Sequence, residues 1–421
     1  MTLSRIDALL AAQDGLEKVT RRTIEALQLR KLNTLLAREK ARGGFYRGLP
    51  EKLESLEQLS SLPFTTDEDL AHNAPGLLLR SQAEVQRVLS DATSGTTGAA
   101  KRVFYTEGDC ARTVELFEAG LGELIFPGSV TMILFPFSGP HGLGELIAEA
   151  VERLGARPLK LGAGLTYGEY AAVLEKEKPD TFVGMPAQLL GLLRVCGRGS
   201  LRRALVSGDA CADAVLKGCE EVLQSRLFPH YGSREMALGG AITCPAHEGM
   251  HLRENHVIAE IVDEEGRVLP EGEYGELVIT TIGMEAMPLV RYRTGDMTRI
   301  LPGPCPCGSH VLRLDHPHRI NIKENNQNRK ELSYIDKIDE TIFANSKAID
   351  CRIDAVNSEN SESRSVAAAR ADLLLVPGCE LEQAEEETRI ALENAFPKTE
   401  FEISAREAKW TDRSLYTGKR I

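Results

Sequence analysis

The chain has 421 residues, more than a single hydrophobic core ordinarily serves, so two or more domains are expected. Its hydrophobic fraction of 42% is ample for globular packing, and its formal charge of −12 opposes a general nucleic-acid or anionic-membrane surface. No apolar run is long enough to cross a bilayer, and the opening MTLSRIDALLAAQDGLEK is amphipathic, unlike a signal peptide, so a cytoplasmic protein is expected. Nine scattered cysteines without secretory features argue against a disulfide framework.

From residue 4 to about 42, Leu9, Leu10, Val19, Ile24, Leu27 and Leu32 recur among charged neighbours and predict helix. Between 91 and 102 lies DATSGTTGAAKR. Gly95 and Gly98 let backbone amides turn inward, Ser94, Thr96 and Thr97 add hydroxyls, and Lys101 adds charge, a combination suited to cradling phosphate. The spacing is not GxxxxGK[ST], and by itself such a turn is more often an ordinary surface loop.

From about 130 short apolar runs alternate with amphipathic segments. VTMILFPF, TFVGMP, RALVSGD and LFPHYGS read as strands, and Leu143 to Leu154, AQLLGLLRV and DAVLKGCEEVL as helices. Strand and helix in strict turn predict crossover units and a mainly parallel sheet, an α/β fold. SGDA at 207–210 closes one strand, where such sheets bind ligands, although Asp209 could equally cap the next helix. HVIAEIVD, the turn EEGR and GELVITTI then predict a β-meander. Beyond a boundary near 315–321, a helix over ELSYIDKIDETIF, strands CRIDAV and VAAARADLLLV, a helix over LEQAEEETRIALENAF and a strand FEIS compose a small α+β domain. The expected division is 1–316 and 320–421.

TSGTTG, HYGSRE at 230–235 and RYRTGD at 291–296 occur in an order and spacing that resemble the central motifs of the adenylate-forming enzymes. FYRGLP, LEQLSSLPFTTDEDL, VERLGARPLKLG, the run from Gly249 to Thr281 and EAMPLVRYRTGD further resemble the phenylacetate-CoA ligase group. The resemblance implies a large amino-terminal portion and a small mobile carboxyl-terminal domain. It also implies ATP-dependent conversion of a carboxylic acid to an acyl adenylate, then a thioester with CoA, which is an AMP-forming acid–thiol ligase.

By the same resemblance Ser94, Gly95, Thr96, Thr97, Gly98 and Lys101 hold the β- and γ-phosphates, and Glu235 holds Mg²⁺. Tyr231, Gly232 and Ser233 contact the nucleotide, Gly208, Asp209 and Ala210 form the adenine-side loop, and Asp296 accepts the ribose hydroxyls. Gly418-Lys419 matches the family's closing pair, whose ammonium reaches the substrate carboxylate and the α-phosphate. Arg319 matches the hinge arginine, yet Asn321 and Ile322 stand where acids are expected and the loop glycine is absent, which leaves thioester formation less supported than adenylation. Arg234 replaces the small residue usual before the glutamate.

Phe137, His141, Gly184 and Met236 are the expected acid-pocket residues, for an aromatic or short aryl-alkyl acid, with Phe137 equally readable as a strand-end core residue. Cys244, His251, Cys305 and Cys307 would satisfy a closed tetrahedral Zn²⁺ site, with His247 as a substitute for His251 and reduced core cysteines as the plain alternative. Expected partners are the acid, ATP, and CoA or a carrier protein, with no nucleic acid or membrane; a homodimer is carried as a further expectation. Two other readings stand beside the ligase: an adenylating enzyme serving a carrier-protein phosphopantetheine or an amine, and a non-catalytic nucleotide-binding paralogue.

Overall fold

The computed structural model describes residues 4–91, 101–209, 211–319, 334–356, 368–397 and 399–414. It divides into two compact units. One comprises Met1–Glu123, Ser138–Leu154 and Phe228–Ile320; the other comprises Leu124–Phe137, Gly155–Leu227 and Asn321–Ile421.

In the first unit, the helical run expected from 4 to about 42 is two helices, Arg5–Asp14 and Arg21–Arg42. Gly15 ends the first in the left-handed region at φ 66°, and Thr20 starts the second with a reciprocal capping box to Thr23. The heptad-like apolar spacing continues across this break, which is why periodicity alone reads through it. The helix Asp67–Leu77 starts at Thr66, whose hydroxyl accepts from the Asp69 amide while the Asp69 carboxylate returns to Thr66. Strands Arg87–Asp91 and Lys101–Tyr105 pair antiparallel, so both ends of the threonine-rich segment are fixed in register.

Two sets of antiparallel strands complete this unit. Phe228–Tyr231, Ala241–Thr243, Met250–Leu252 and Arg313–Leu314 pair in succession. Ile258–Val262, Gly275–Thr280, Tyr292–Thr298 and His318–Arg319 form the other, realising the expected meander, with the register shifting between Glu276 and Val278.

The second unit carries the parallel sheet predicted from the alternation. Arg157–Lys160, Val130–Ile133, Thr181–Gly184 and Arg203–Val206 lie side by side in that order, all parallel. Helices Tyr167–Glu177, Pro186–Cys196 and Asp213–Leu223 follow successive strands. Ala348–Val356 pairs antiparallel with Ala368–Leu375, which runs parallel to Glu400–Glu407. One apolar cluster joins Phe182, Leu190 and Val215 to Ile342, Leu373 and Leu392. Arg194 donates to the carbonyls of Asn345 and Phe343 at 3.1 and 3.4 Å and also to that of Ala348, meeting acceptors where the helix Tyr334–Phe343 ends. Among the described residues no helix is long and apolar enough to cross a membrane.

Candidate active site

Three other segments of the first unit converge on Lys101. Its Nζ lies 3.0 Å from Asp67 Oδ1, 3.3 Å from Glu235 Oε1 and 3.5 Å from the Tyr292 hydroxyl. The Tyr292 hydroxyl donates to Asp67 Oδ1, and sits 3.5 Å from Glu235 Oε1. Asp67 is placed by the Thr66 cap at a helix start, Lys101 and Tyr292 by the first positions of their strands, and Glu235 by a single 3₁₀ turn, Arg234–Met236. Glu235 and Tyr292 are buried, and the Lys101 side chain is 16% exposed. Burial works to lower the Lys101 pKa, but Glu235 and then Asp67 outweigh it, so the ammonium is held above its ordinary value and stays charged.

This cluster is what a phosphate-handling site needs: a fixed ammonium and a buried carboxylate sharing one water-poor position, where each interaction is strengthened by the low local dielectric. Lys101 and Glu235 were both expected there. Asp67 and Tyr292 were not, although both lie within quoted phrases, TTDEDL and RYRTGD.

Tyr231 and Asp296 also meet. The Tyr231 hydroxyl donates to Asp296 Oδ2 at 2.7 Å, Asp296 N donates to the Thr294 hydroxyl at 3.1 Å, and Asp296 stands opposite Arg319 in the strand register. One Asp296 oxygen is thereby oriented by the phenol, and the aromatic ring and the carboxylate are held as a pair. Between them in sequence, the turn after Ser233 takes an uncommon course. Ala237 and Leu238 both adopt left-handed φ, 55° and 63°, at a cost of roughly 1–2 kcal/mol each for residues with a β-carbon. Gly232 packs so tightly on this turn that a β-carbon there would lie 2.3 Å from the Leu238 carbonyl oxygen, which only glycine permits.

Met236 is fully buried, and a β-carbon at Gly240 would lie 2.1 Å from its sulfur. His141 belongs to the first unit, at φ 63°. Phe137, Gly184, Gly208 and Asp209 belong to the second; Phe137 is half-buried with Lys160 Nζ 6.0 Å from its ring centre. Gly208 has φ 86°, and a β-carbon there would come within 3.0 Å of the Phe135 ring. Ser94, Gly95, Thr96, Thr97, Gly98, Ala210 and Lys419 lie outside the described residues.

A second cluster in the first unit gathers Cys244, His251, Cys305 and Cys307, whose ligand atoms all lie within 4.8 Å of one another. Cys244 Sγ is 3.6 Å from Cys305 Sγ, and Cys307 Sγ is 3.4 Å from His251 Nε2. A tetrahedral ion with Zn–S bonds of about 2.3 Å has ligand-to-ligand edges of about 3.5–3.8 Å, so the four groups fit zinc. Burial holds the His251 imidazole down at about 4, against the opposing pull of Asp7, leaving it neutral and able to donate a lone pair. Burial also pushes the Cys244 thiol up to about 12. A cavity of about 470 Å³, bordered by Arg5, Glu123 and Pro306, opens beside the cluster. His247 is instead stacked edge-on against Phe228, at 4.5 Å between ring centres.

Comparison with known proteins accords with this geometry. The family model described as AMP-binding enzyme matches residues 88–286. A phenylacetate-coenzyme A ligase of Thermus thermophilus is 32% identical over 324 residues, covering 72% of this chain and 71% of the relative. One from Escherichia coli is 31% identical over 311 residues, covering 69% and 70%. A crystal structure of 2-hydroxyisobutyryl-CoA ligase, in the postadenylation state with 2-HIB-AMP, superposes with a TM-score of 0.77 at 17% identity, over 95% of this chain and 90% of that one, a likeness of fold. The chain belongs to the phenylacetate-CoA ligase-like group of the adenylate-forming, AMP-binding enzymes.

Proposed function

We propose that the chain is an AMP-forming acid–CoA ligase acting on an aromatic or short aryl-alkyl carboxylic acid. In the first half-reaction a carboxylate oxygen attacks the α-phosphorus of ATP, the bond to the bridging oxygen breaks, and pyrophosphate leaves. In the second the CoA sulfur attacks the acyl carbonyl and AMP leaves. The observation that carries the reading is the buried Glu235 carboxylate with the Lys101 ammonium 3.3 Å away, in the turn directly after HYGS.

Catalysis of phosphoryl and nucleotidyl transfer is largely positioning and charge stabilisation. Lys101, with the hydroxyls and amides of Ser94–Gly98, neutralises the pyrophosphate as it departs. Asp67 and Tyr292 fix the ammonium in place, so little reorganisation is needed. Tyr231 and Asp296 hold adenine and ribose, helped by the 208–210 loop. Glu235, a buried oxygen donor that already faces the Lys101 cation, would hold Mg²⁺, which would supply positive charge to offset that of the phosphates. Phe137, His141, Gly184 and Met236 are the residues we assign to the acid. Residues 1–316 act as the adenylation domain and 320–421 as a small mobile domain that brings Lys419 to the two reacting anions. Cys244, His251, Cys305 and Cys307 would hold Zn²⁺ as a structural ion, which would tie together the loops that follow HYGSRE and RYRTGD. The nine free cysteines support a cytoplasmic setting.

Hydroxamate trapping with a panel of aryl and aryl-alkyl acids tests adenylation: an acid-dependent, ATP-dependent hydroxamate is expected, and none across the panel refutes the reading. A thioester assay tests the acceptor. Asn321 and Ile322 at the hinge favour a second reading, in which a carrier-protein phosphopantetheine or an amine accepts the acyl group. Trapped adenylate without acyl-CoA formation would select it.

A further inference from the structure

The turn that presents Glu235 is held from outside by two hydroxyls. Tyr105, buried at the end of the strand Lys101–Tyr105, places its hydroxyl 2.6 Å from the Arg234 carbonyl oxygen. Thr113, buried in the helix Glu107–Leu121, places its hydroxyl 2.7 Å from the Ala237 carbonyl and 3.0 Å from that of Asp109, four residues earlier. A helical threonine ordinarily donates to the carbonyl one turn back. A hydroxyl has one proton, and here the shorter contact reaches out of the helix to the turn.

The two clamped carbonyls bracket Glu235, one immediately before it and one two residues after. Between and beyond them Ala237 and Leu238 are left-handed, a conformation that persists only where surroundings over-determine it. Inside the turn, Leu238 N donates to the Ser233 carbonyl at 2.8 Å and Gly240 N to the Tyr231 carbonyl at 3.0 Å. Without an external clamp, a turn carrying two strained residues would relax toward right-handed conformations and carry the Glu235 carboxylate away from Lys101. Neither hydroxyl hydrogen-bonds the Glu235 carboxylate; each donates to a backbone carbonyl of the turn.

We infer that Tyr105 and Thr113 are positioning residues for Glu235, clamping the carbonyls of Arg234 and Ala237 so that a strained turn keeps the carboxylate aimed at its cation. The inference rests on the role proposed above for Glu235 as the Mg²⁺ ligand. It predicts a specific kinetic pattern, because a carboxylate displaced by a fraction of an ångström still folds but holds metal and phosphates less well.

The test uses the full chain and the variants Thr113→Val, Thr113→Ser and Tyr105→Phe. Acid-dependent pyrophosphate release is measured against Mg²⁺ concentration, and hydrogen exchange of the Leu238 and Gly240 amides is followed without nucleotide. Thr113→Val and Tyr105→Phe are expected to lower kcat about tenfold, raise the half-saturating Mg²⁺ several-fold and speed both exchanges. Thr113→Ser, which keeps the hydroxyl, is expected to restore all three. Should Thr113→Val not fold, Tyr105→Phe, lacking only an oxygen, decides alone. Absence of pyrophosphate release by the wild type would refute the ligase reading while leaving the exchange result to judge the clamp. An active wild type whose variants keep its kcat, Mg²⁺ dependence and exchange rates, whatever their melting temperatures, overturns the inference.

Discussion

The interiors of the two units differ in how much charge they bury. Around its apolar core the first encloses Glu39, Asp109, Arg253, Glu254, His256 and Arg291, while the second, organised around an apolar cluster running from Met132 to Ala408, encloses the carboxylates Asp336, Asp339 and Asp350. Some of the first unit's charges are paired. Glu254 takes Arg21 at 2.6 Å, and Arg291 takes Glu260 at 3.0 Å while lying over the Phe64 ring. Others are not matched by a direct partner: burial lowers the Arg253 guanidinium to about 10, with Glu115 opposing, and its nitrogens have no hydrogen-bond partner among the described residues. Each such group is stabilised less inside than in water unless it is paired, so its burial costs stability that the surrounding apolar packing offsets. The lesson is that the first unit carries more buried charge within its packed core than the second.

That contrast is broken most forcefully in the second unit. Leu190→Ala, at a fully buried site of the apolar cluster, is expected to lower unfolding stability by about 2–5 kcal/mol through lost transfer energy and the cavity left behind. Urea denaturation reads the loss, and pyrophosphate release per folded molecule should stay at the wild-type value. A variant with normal stability and depressed turnover would erase the distinction between the units.

The thiol cluster sharpens the comparison from the other side, because there the first unit would draw stability from a bound ion. Protein purified without added zinc should carry about one equivalent per chain, and Cys305→Ser should lose it together with several degrees of melting temperature, since metal affinity that is absent from the unfolded chain adds to folding free energy. Stoichiometry near zero by elemental analysis would remove the zinc and leave only packed thiols.

The smallest effect is expected at Glu39. It is fully buried in the helix Arg21–Arg42, its carboxylate oxygens lack hydrogen bonds, and burial raises its pKa from 4.5 to about 7 despite Arg42 and Arg38. A carboxyl whose folded pKa lies above its unfolded one contributes stability that is complete below about pH 4.5 and is lost as pH rises through about 7. Glu39→Gln should therefore melt a few degrees above wild type at pH 8, with the gap closing on acidification, as followed by calorimetry at stepped pH. A constant gap would show that Glu39 stays ionised throughout.

Much of this organisation is legible in the sequence because it is written in local periodicity. TFVGMP and RALVSGD show apolar runs bounded by turns, and the meander shows alternation, so the parallel strands and the antiparallel sheet both follow from short windows. Motif resemblance marks Tyr231 and Asp296 separately, without their hydrogen bond to each other, and the chemistry of soft ligands groups Cys244, His251, Cys305 and Cys307. Asp67 and Tyr292 escaped because nothing local marks them: their meeting with Lys101 spans 34 and 191 residues of chain and is decided only when helix cap and strand register are set together. The break at Gly15 escaped for the opposite reason, since the apolar spacing continues through a turn that one left-handed residue creates. Tyr105 and Thr113 act on backbone carbonyls, and a clamp of that kind leaves no motif.

The central claim is that a carboxylate and an ammonium of this chain act on ATP and an organic acid. The most direct measurement is pyrophosphate release across the aryl acid panel by wild type, Glu235→Gln and Lys419→Ala. The wild type should release pyrophosphate only with acid present, and each variant should fall by a hundredfold or more, of the order seen when a group stabilising transition-state charge is removed. Equal rates for all three proteins would contradict the account.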